Sequence, residues 1–303
     1  MIRKVLSGLI LLAVLAIMAE TLRAASAQPE MVVCGWDEVF VLRLKPGGAT
    51  EKTWSWRADD RSGLPDSMRA KFATTDDCKP VDGGRRIVVT SSSEGVALVE
   101  RSSGRAAFFA TAANAHSAEL LPGNLLAVAA SHAESGAGDR LIIYDLSAPG
   151  RELADDPLPW GHGVVWDDTR KLLYALADSD IRIYNVEYVN GSFRNLSRQA
   201  LIALPEGMGH ELQPVPGTSF LAVSTTHHCW LFDRDNWRIS PHPVLADSAD
   251  VKSISVDPAS GRLAWTRAEG KDWWTSIIRM QNPKGTLVLP GERLYKVRWI
   301  TRE

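Results

Sequence analysis

One arrangement returns along this chain at near-constant intervals: a cationic side chain, a short polar stretch, then a run of apolar residues. It stands at Lys79, His116, His162, His210, Lys252 and Lys296, with gaps of 37, 46, 48, 42 and 44 residues. A period of about 40 to 50 residues is that of a radially repeated four-stranded unit. Few other folds tolerate it.

The segments between the cations read as strand pairs. "RRIVVTSSSEGVALVERSSG", "NLLAVAASHAESGAGDRLIIYDLSAPG", "KLLYALADSDIRIYNVEYVNG", "SFLAVSTTHHCWLFDRDNW" and "RLAWTRAEGKDWWTSIIRMQNPKG" share one design. Each joins an apolar run, a polar break, a second run rich in β-branched or aromatic residues, and a turn of Gly, Pro, Asn or Asp. Helical periodicity is weak, with "DSMRAKFA" at 66–73 the one candidate after the N-terminus.

The two ends complete each other. "MVVCGWDEVFVLRL" at 31–44 is a strand pair with no inner strand before it, and "YKVRWI" at 295–300 is an inner strand with no pair after it. The C-terminal strand is therefore expected to enter the first blade. That predicts an all-β, six-bladed β-propeller with no free sheet edge around the circle. A seventh blade would have to lie in 45–77, where only "KTWSWR" reads as a strand.

Residues 1–27 have the layout of a secretory signal: Arg3 and Lys4, an apolar run from Val5 to Ala19, and Ala25-Ser26-Ala27 before the expected cleavage. The run is shorter than the roughly 20 residues of a bilayer span. The mature chain, 28–303, is expected to be a single domain, monomeric, secreted or periplasmic, with no membrane span. Cleavage removes Arg3, Lys4, Arg23 and Glu20, a net of +2, taking the formal charge from −2 to −4. Such a balance offers nucleic acid no basic footprint. Cys34, Cys78 and Cys229 allow either a Cys34–Cys78 disulfide with one free thiol or three buried free thiols.

In a propeller the first strand of each blade lines the central channel. The six cations, Lys79, His116, His162, His210, Lys252 and Lys296, are thus expected in one ring at one mouth. The loops after the second strands bring Trp36, His132 and Arg267 to its rim, with Asp178, Asp180, His227 and His228. Trp54, Trp56 and the insertion that follows are expected to overhang the same mouth. Neutral His116, His162 and His210, with Gln213 and with Glu119 or Glu211 nearby, are suited to a divalent metal such as Mn, Zn or Ca. Three lysines would repel a bare cation, and an anion bridging both halves, a uronate carboxylate or a sulfate, removes the conflict. The same ring could also simply finish the strand ends with no ligand.

The set "AHSAELLP", "GHGVVWD", "GHELQPV", "VKSIS", "YKVRW" and "WSWRADD" resembles a family of secreted bacterial propeller proteins without a settled function. A propeller with channel histidines is also similar, at the level of fold, to oligogalacturonate lyases and to ulvan and rhamnose-glucuronate lyases. That resemblance implies cleavage beside a uronate, in the first family with a metal held by His and Gln. The leading expectation is a lyase acting on an acidic oligo- or polysaccharide. Its catalytic candidates are His116, His162, His210 and Lys252, with Lys79, Lys296, Trp36, His132, Arg267 and Glu119 contacting substrate. A hydrolase using Glu119 and Glu211 as its carboxylate pair and a non-catalytic carbohydrate-binding propeller are the alternatives. Phosphate-cradling glycine loops, dinucleotide fingerprints and Ser/His/Asp nucleophile motifs are not evident.

Overall fold

The middle strands explain the architecture, because they are apolar on both faces. Leu125–Ala130 is buried at every position, and Leu172–Leu176 and Phe220–Ser224 at all but the first. A strand covered on both sides must lie between two other layers. Here those layers are the neighbouring blades.

The computed structural model describes residues 28–301. The signal-sequence reading of 1–27 lies outside them. Six four-stranded antiparallel sheets follow one another around a central axis. Their inner strands are Lys296–Trp299 in blade 1, Thr75–Val81 in blade 2, Ala115–Leu121 in blade 3, Gly163–Asp167 in blade 4, Glu211–Pro214 in blade 5 and Val251–Val256 in blade 6. As expected, the C-terminal strand closes the ring: Lys296–Trp299 pairs antiparallel with Glu30–Gly35, matching Lys296 to Cys34 and Trp299 to Met31.

Six hydrophobic clusters hold the described residues together, one at each junction between blades. Val32, Phe72 and Ile87 belong to the junction of blades 1 and 2, and Phe40, Ile278 and Trp299 to that of blades 6 and 1. At about 25 cal/mol per Å² of buried apolar area, these junctions are the main stabilising term. The 66–73 candidate is a short helix, α1 (Asp66–Arg69), followed by a single turn, Ala70–Phe72. Met68 and Phe72 are buried against the junction of blades 1 and 2.

Cys34, Cys78 and Cys229 are buried free thiols. Cys34 and Cys78 share one cluster, and burial, reinforced by the neighbouring Cys34 thiol, pushes the Cys78 thiol up. No helix among the described residues is long and apolar enough to cross a membrane.

Candidate functional site at the channel mouth

Where the inner strands begin, one side chain per blade points toward the axis. In blades 2, 3 and 6 it is an extra residue bulged out of the pairing with the second strand. The register steps from Thr75 to Asp77, from Ala115 to Ser117 and from Val251 to Ser253, leaving Asp76, His116 and Lys252 unpaired. A bulge of this kind re-aims a side chain. In blades 4, 5 and 1 the residue just precedes the strand. There His162 N–H donates to Leu176 O (3.0 Å), His210 N–H to Ser224 O (2.9 Å) and Tyr295 N–H to Cys34 O (2.8 Å). The six converge with Ser92, Asn114 and Trp273 on a cavity of about 270 Å³.

The ring at this mouth is therefore Tyr295, Asp76, His116, His162, His210 and Lys252. Two of the expected members are elsewhere. Lys296, one residue past Tyr295, is fully buried beneath the ring, donating to His210 O (3.1 Å) and approaching Glu211 Oε1 at 3.4 Å. Lys79 lies three residues further along its strand, where Nζ donates to Glu119 Oε2 (2.9 Å) and to Val164 O. It lines a separate cavity of about 230 Å³ at the far ends of the inner strands, together with Glu119 and Gln213. Those three residues thus belong to the opposite mouth. Aligning blades by positive charge skipped Asp76 and Tyr295, whose positions only the strand register identifies.

The three imidazoles stand side by side. His116 and His162 have ring centroids 4.3 Å apart, and His162 and His210 5.0 Å. His116 Nδ1 lies 3.0 Å from Asn114 O and His162 Nδ1 2.8 Å from Trp160 O. A carbonyl only accepts, so each Nδ1 carries the proton and each Nε2 keeps its lone pair in the neutral form. His210 Nδ1 is buried without a hydrogen-bond partner among the described residues.

A repeated backbone device sets this up. Asn114, Trp160, Met208 and Asp250, each two residues before its ring member, are left-handed, with φ of 50°, 50°, 59° and 58°. The conformation costs about 1–2 kcal/mol for a residue with a side chain. In blades 3 and 4 it turns the carbonyl toward the imidazole Nδ1. It also throws Trp160 and Met208 outward, leaving them 44% and 47% exposed beside the mouth.

Electrostatics keeps His162 and His210 uncharged. Burial, followed by the charges of His116 and His210, holds His162 well below the usual histidine range. Burial, then Lys252, His116 and Lys296, does the same to His210. Burial lowers Lys252 too, against the pull of Asp250. Asp76 is raised by burial although His116, at 3.7 Å from Oδ1, works the other way. Burial pushes the Tyr295 phenol well up.

The channel is closed just beneath. Arg298, 1% exposed, meets Asp77 Oδ1 at 3.0 Å and both oxygens of Glu211 at 2.6 and 3.0 Å. Ser117 adds a 2.8 Å bond to Asp77 Oδ2, and Glu211 also accepts the Ile254 N–H. The mouth is a blind pocket. The same arrangement removes the Glu119 and Glu211 pair, since Glu211 is locked in this plug and Glu119 opens onto the other face.

The rim is partly as expected. Trp36 stacks on Trp273 at 4.7 Å, and Trp273 meets Tyr295 at 5.6 Å, with Arg293 over Trp36 at 4.6 Å. His132 stacks on Trp160 at 4.8 Å and bonds Asp139 at 2.9 Å. Arg267 pairs with Val251, the residue before Lys252, and is exposed, but it does not line the cavity. His227 and His228 share Glu206 instead. Trp54 and Trp56 do not overhang this mouth, because their strand is the outermost of blade 1 and faces the edge of blade 2. Among the described residues, no group of three or more His, Cys, Asp or Glu is arranged to hold a metal ion.

Comparison with solved structures bears out the fold alone. A Bacteroides fragilis protein described as a "putative 6-phosphogluconolactonase" aligns with TM-score 0.52 and 10% identity, covering 91% of this chain and 98% of that one. A protein of unknown function from Bacteroides caccae gives 0.56 and 13%, covering 90% and 99%. A chain of a mitotic checkpoint complex gives 0.54 and 10%, covering 88% and 79%. No curated protein matches the chain. The profile of a family of unknown function, DUF6528, matches residues 37–303, and the chain belongs to that family.

Proposed function

We propose that the mouth receives a carboxylated sugar and acts on it by β-elimination. The observation that carries the reading is His162, whose Nδ1 is held by the Trp160 carbonyl so that the neutral ring keeps its Nε2 lone pair, beside one ammonium, Lys252, in a blind pocket. The ammonium pairs with the uronate carboxylate and so acidifies the C5 proton. An imidazole Nε2, His162 foremost, takes that proton. The C5–H electron pair becomes the C4=C5 double bond, the C4–O bond breaks, and the Tyr295 hydroxyl gives its proton to the departing oxygen. Tyr295 then regains a proton from the imidazolium through solvent. A cavity of about 270 Å³ lies at the small end of ligand pockets. It suits a chain end or a short oligosaccharide better than the middle of a polymer.

Export of the chain by the signal sequence read in residues 1–27, and a monomeric state, accord with action on an extracellular glycan. Capture without chemistry is the second reading, favoured by Asp76, whose carboxyl stands 3.7 Å from His116 Nε2 and so faces the atom that would otherwise serve as a base. The test is incubation with galacturonate and glucuronate oligosaccharides, followed by ultraviolet absorbance of the unsaturated product. Product formation that disappears in His162→Ala is expected. Binding without product in the wild type would leave capture alone.

A further inference from the structure

A second place on the molecule is built for a ligand, at the outer edge of the junction between blades 1 and 2. Two cavities of about 300 and 500 Å³ share Trp54, Arg101 and Ser102 and therefore form one groove. One wall is the outermost strand of blade 1, Thr50–Trp56, and the other is the turn after Gly95–Glu100 in blade 2. The insertion after Trp56 caps the groove by pairing Ala106 N–H with Ser62 O.

Two polar atoms in these walls are buried without a partner: Trp56 Nε1 in the smaller part and Thr53 Oγ1 in the larger. Trp56 is only 4% exposed, so its N–H has lost water as well. A buried donor left unpaired costs about 1–3 kcal/mol. Both atoms belong to residues that line the groove.

The charge has one sign in excess. Arg57, Arg61, Arg85 and Arg101 line the two parts against Asp59 and Glu100. Arg57 is paired with Asp37 and with Glu38 (3.0 Å), Arg101 with Glu30 (3.0 Å) and Arg61 with Asp59, which leaves Arg85 as the exposed guanidinium of the groove. Trp54, half-buried, lines both parts together with Arg101. A planar aromatic surface flanked by guanidinium groups fits a sugar ring bearing carboxylate or sulfate.

We infer that this groove binds a segment of an anionic polysaccharide, holding the polymer while a chain end enters the histidine mouth. The ligand class rests on the proposed function, whereas the groove itself rests on the orphaned donor and the arginines.

The test is affinity electrophoresis in gels containing polygalacturonate or neutral dextran at low ionic strength, with galacturonate binding followed separately. The wild type is expected to be retarded by polygalacturonate and not by dextran. Arg85→Glu should weaken that retardation about tenfold, and Trp54→Ala should do likewise. His162→Ala should lose product formation and galacturonate binding while keeping polymer retention. Because Trp54 also packs against the core, the exposed Arg85→Glu stands as the independent variant. Retardation of Arg85→Glu equal to wild type, or equal retardation by dextran, would overturn the groove. Loss of polymer binding in Arg85→Glu, together with no product from the wild type, would retain the groove and sink the lyase.

Discussion

The Nδ1 of His162 lies 2.8 Å from the carbonyl oxygen of Trp160, a residue held at φ 50°. The histidine's tautomer is thus fixed by a strained backbone two residues upstream. The same pairing joins His116 to Asn114. The mouth is organised by main chain before any ligand arrives.

If strain at Trp160 serves the carbonyl and not the indole, Trp160→Gly should keep the fold. Glycine adopts positive φ freely, so relief of about 1 kcal/mol offsets part of the packing lost from the ring. Thermal unfolding should fall by no more than a few degrees. A large drop would mean that the stack with His132 is structural.

The buried histidines make stability pH-dependent. Their folded pKa values lie below that of the unfolded chain, so the unfolded state binds more protons as the pH drops. Stability is full above about pH 6.5 and declines below it, by up to ~1.4 kcal/mol per unit for each histidine. His162 and His210 contribute, and so does His242, which burial lowers to about 4. Asp76 and Glu119, raised by burial, work weakly the other way. Urea midpoints should decline steadily from pH 7 to 4.5, less steeply in His162→Ala. A flat profile would contradict neutral buried imidazoles.

Arg298 holds two buried carboxylates, so removing it should be severe. Arg298→Met leaves Asp77 and Glu211 in the interior without their shared cation, costing about 3–5 kcal/mol. Adding Asp77→Asn and Glu211→Gln should restore much of it. Chemical denaturation of the single and triple variants measures both. A single variant within 1 kcal/mol of wild type would show, on the scale expected for broken buried pairs, that water reaches the plug.

At the blade 4–5 contact, a Cβ on Gly163 would stand 2.6 Å from the Leu212 Cβ. Gly163→Ala should therefore push the two inner strands apart, lowering stability by about 1–3 kcal/mol and weakening ligand binding at the mouth. Unchanged unfolding and binding would mean the channel wall yields easily.

Elemental analysis separates ammonium-assisted from metal-assisted elimination. With Lys252 neutralising the carboxylate, untagged protein should retain activity after exhaustive chelation, and Lys252→Met should lose it. A stoichiometric transition metal, lost in His116→Ala, His162→Ala and His210→Ala, would transfer that role to a metal ion.

The blades were legible in the sequence because a strand buried on both faces has to be continuously apolar, as in "LLAVAA" and "FLAVS". Closure was legible because an unpaired strand at each end has one solution. His116, His162, His210 and Lys252 were found from their period. Asp76 and Tyr295 were missed because the search followed charge, whereas position is set by register. In three blades the ring residue is a bulged one, and in the other three it just precedes the strand. In blade 1 that makes Tyr295 the ring member and Lys296 its neighbour, and in blade 2 the next cation, Lys79, lies three residues past Asp76. The groove at Trp54 was out of reach for another reason: its walls come from segments about fifty residues apart, and nothing periodic joins them.

The closing strand carries three of the residues on which the pocket depends: Tyr295 at its entrance, with Lys296 and Arg298 beneath. On a ribosome these follow every other described strand. Until they dock against Glu30–Gly35, Asp77 and Glu211 lack the arginine that bridges them and the channel has no floor. Ring closure and site completion are then a single event in time. A chain interrupted before residue 295 would carry all three histidines and still present no pocket to its ligand.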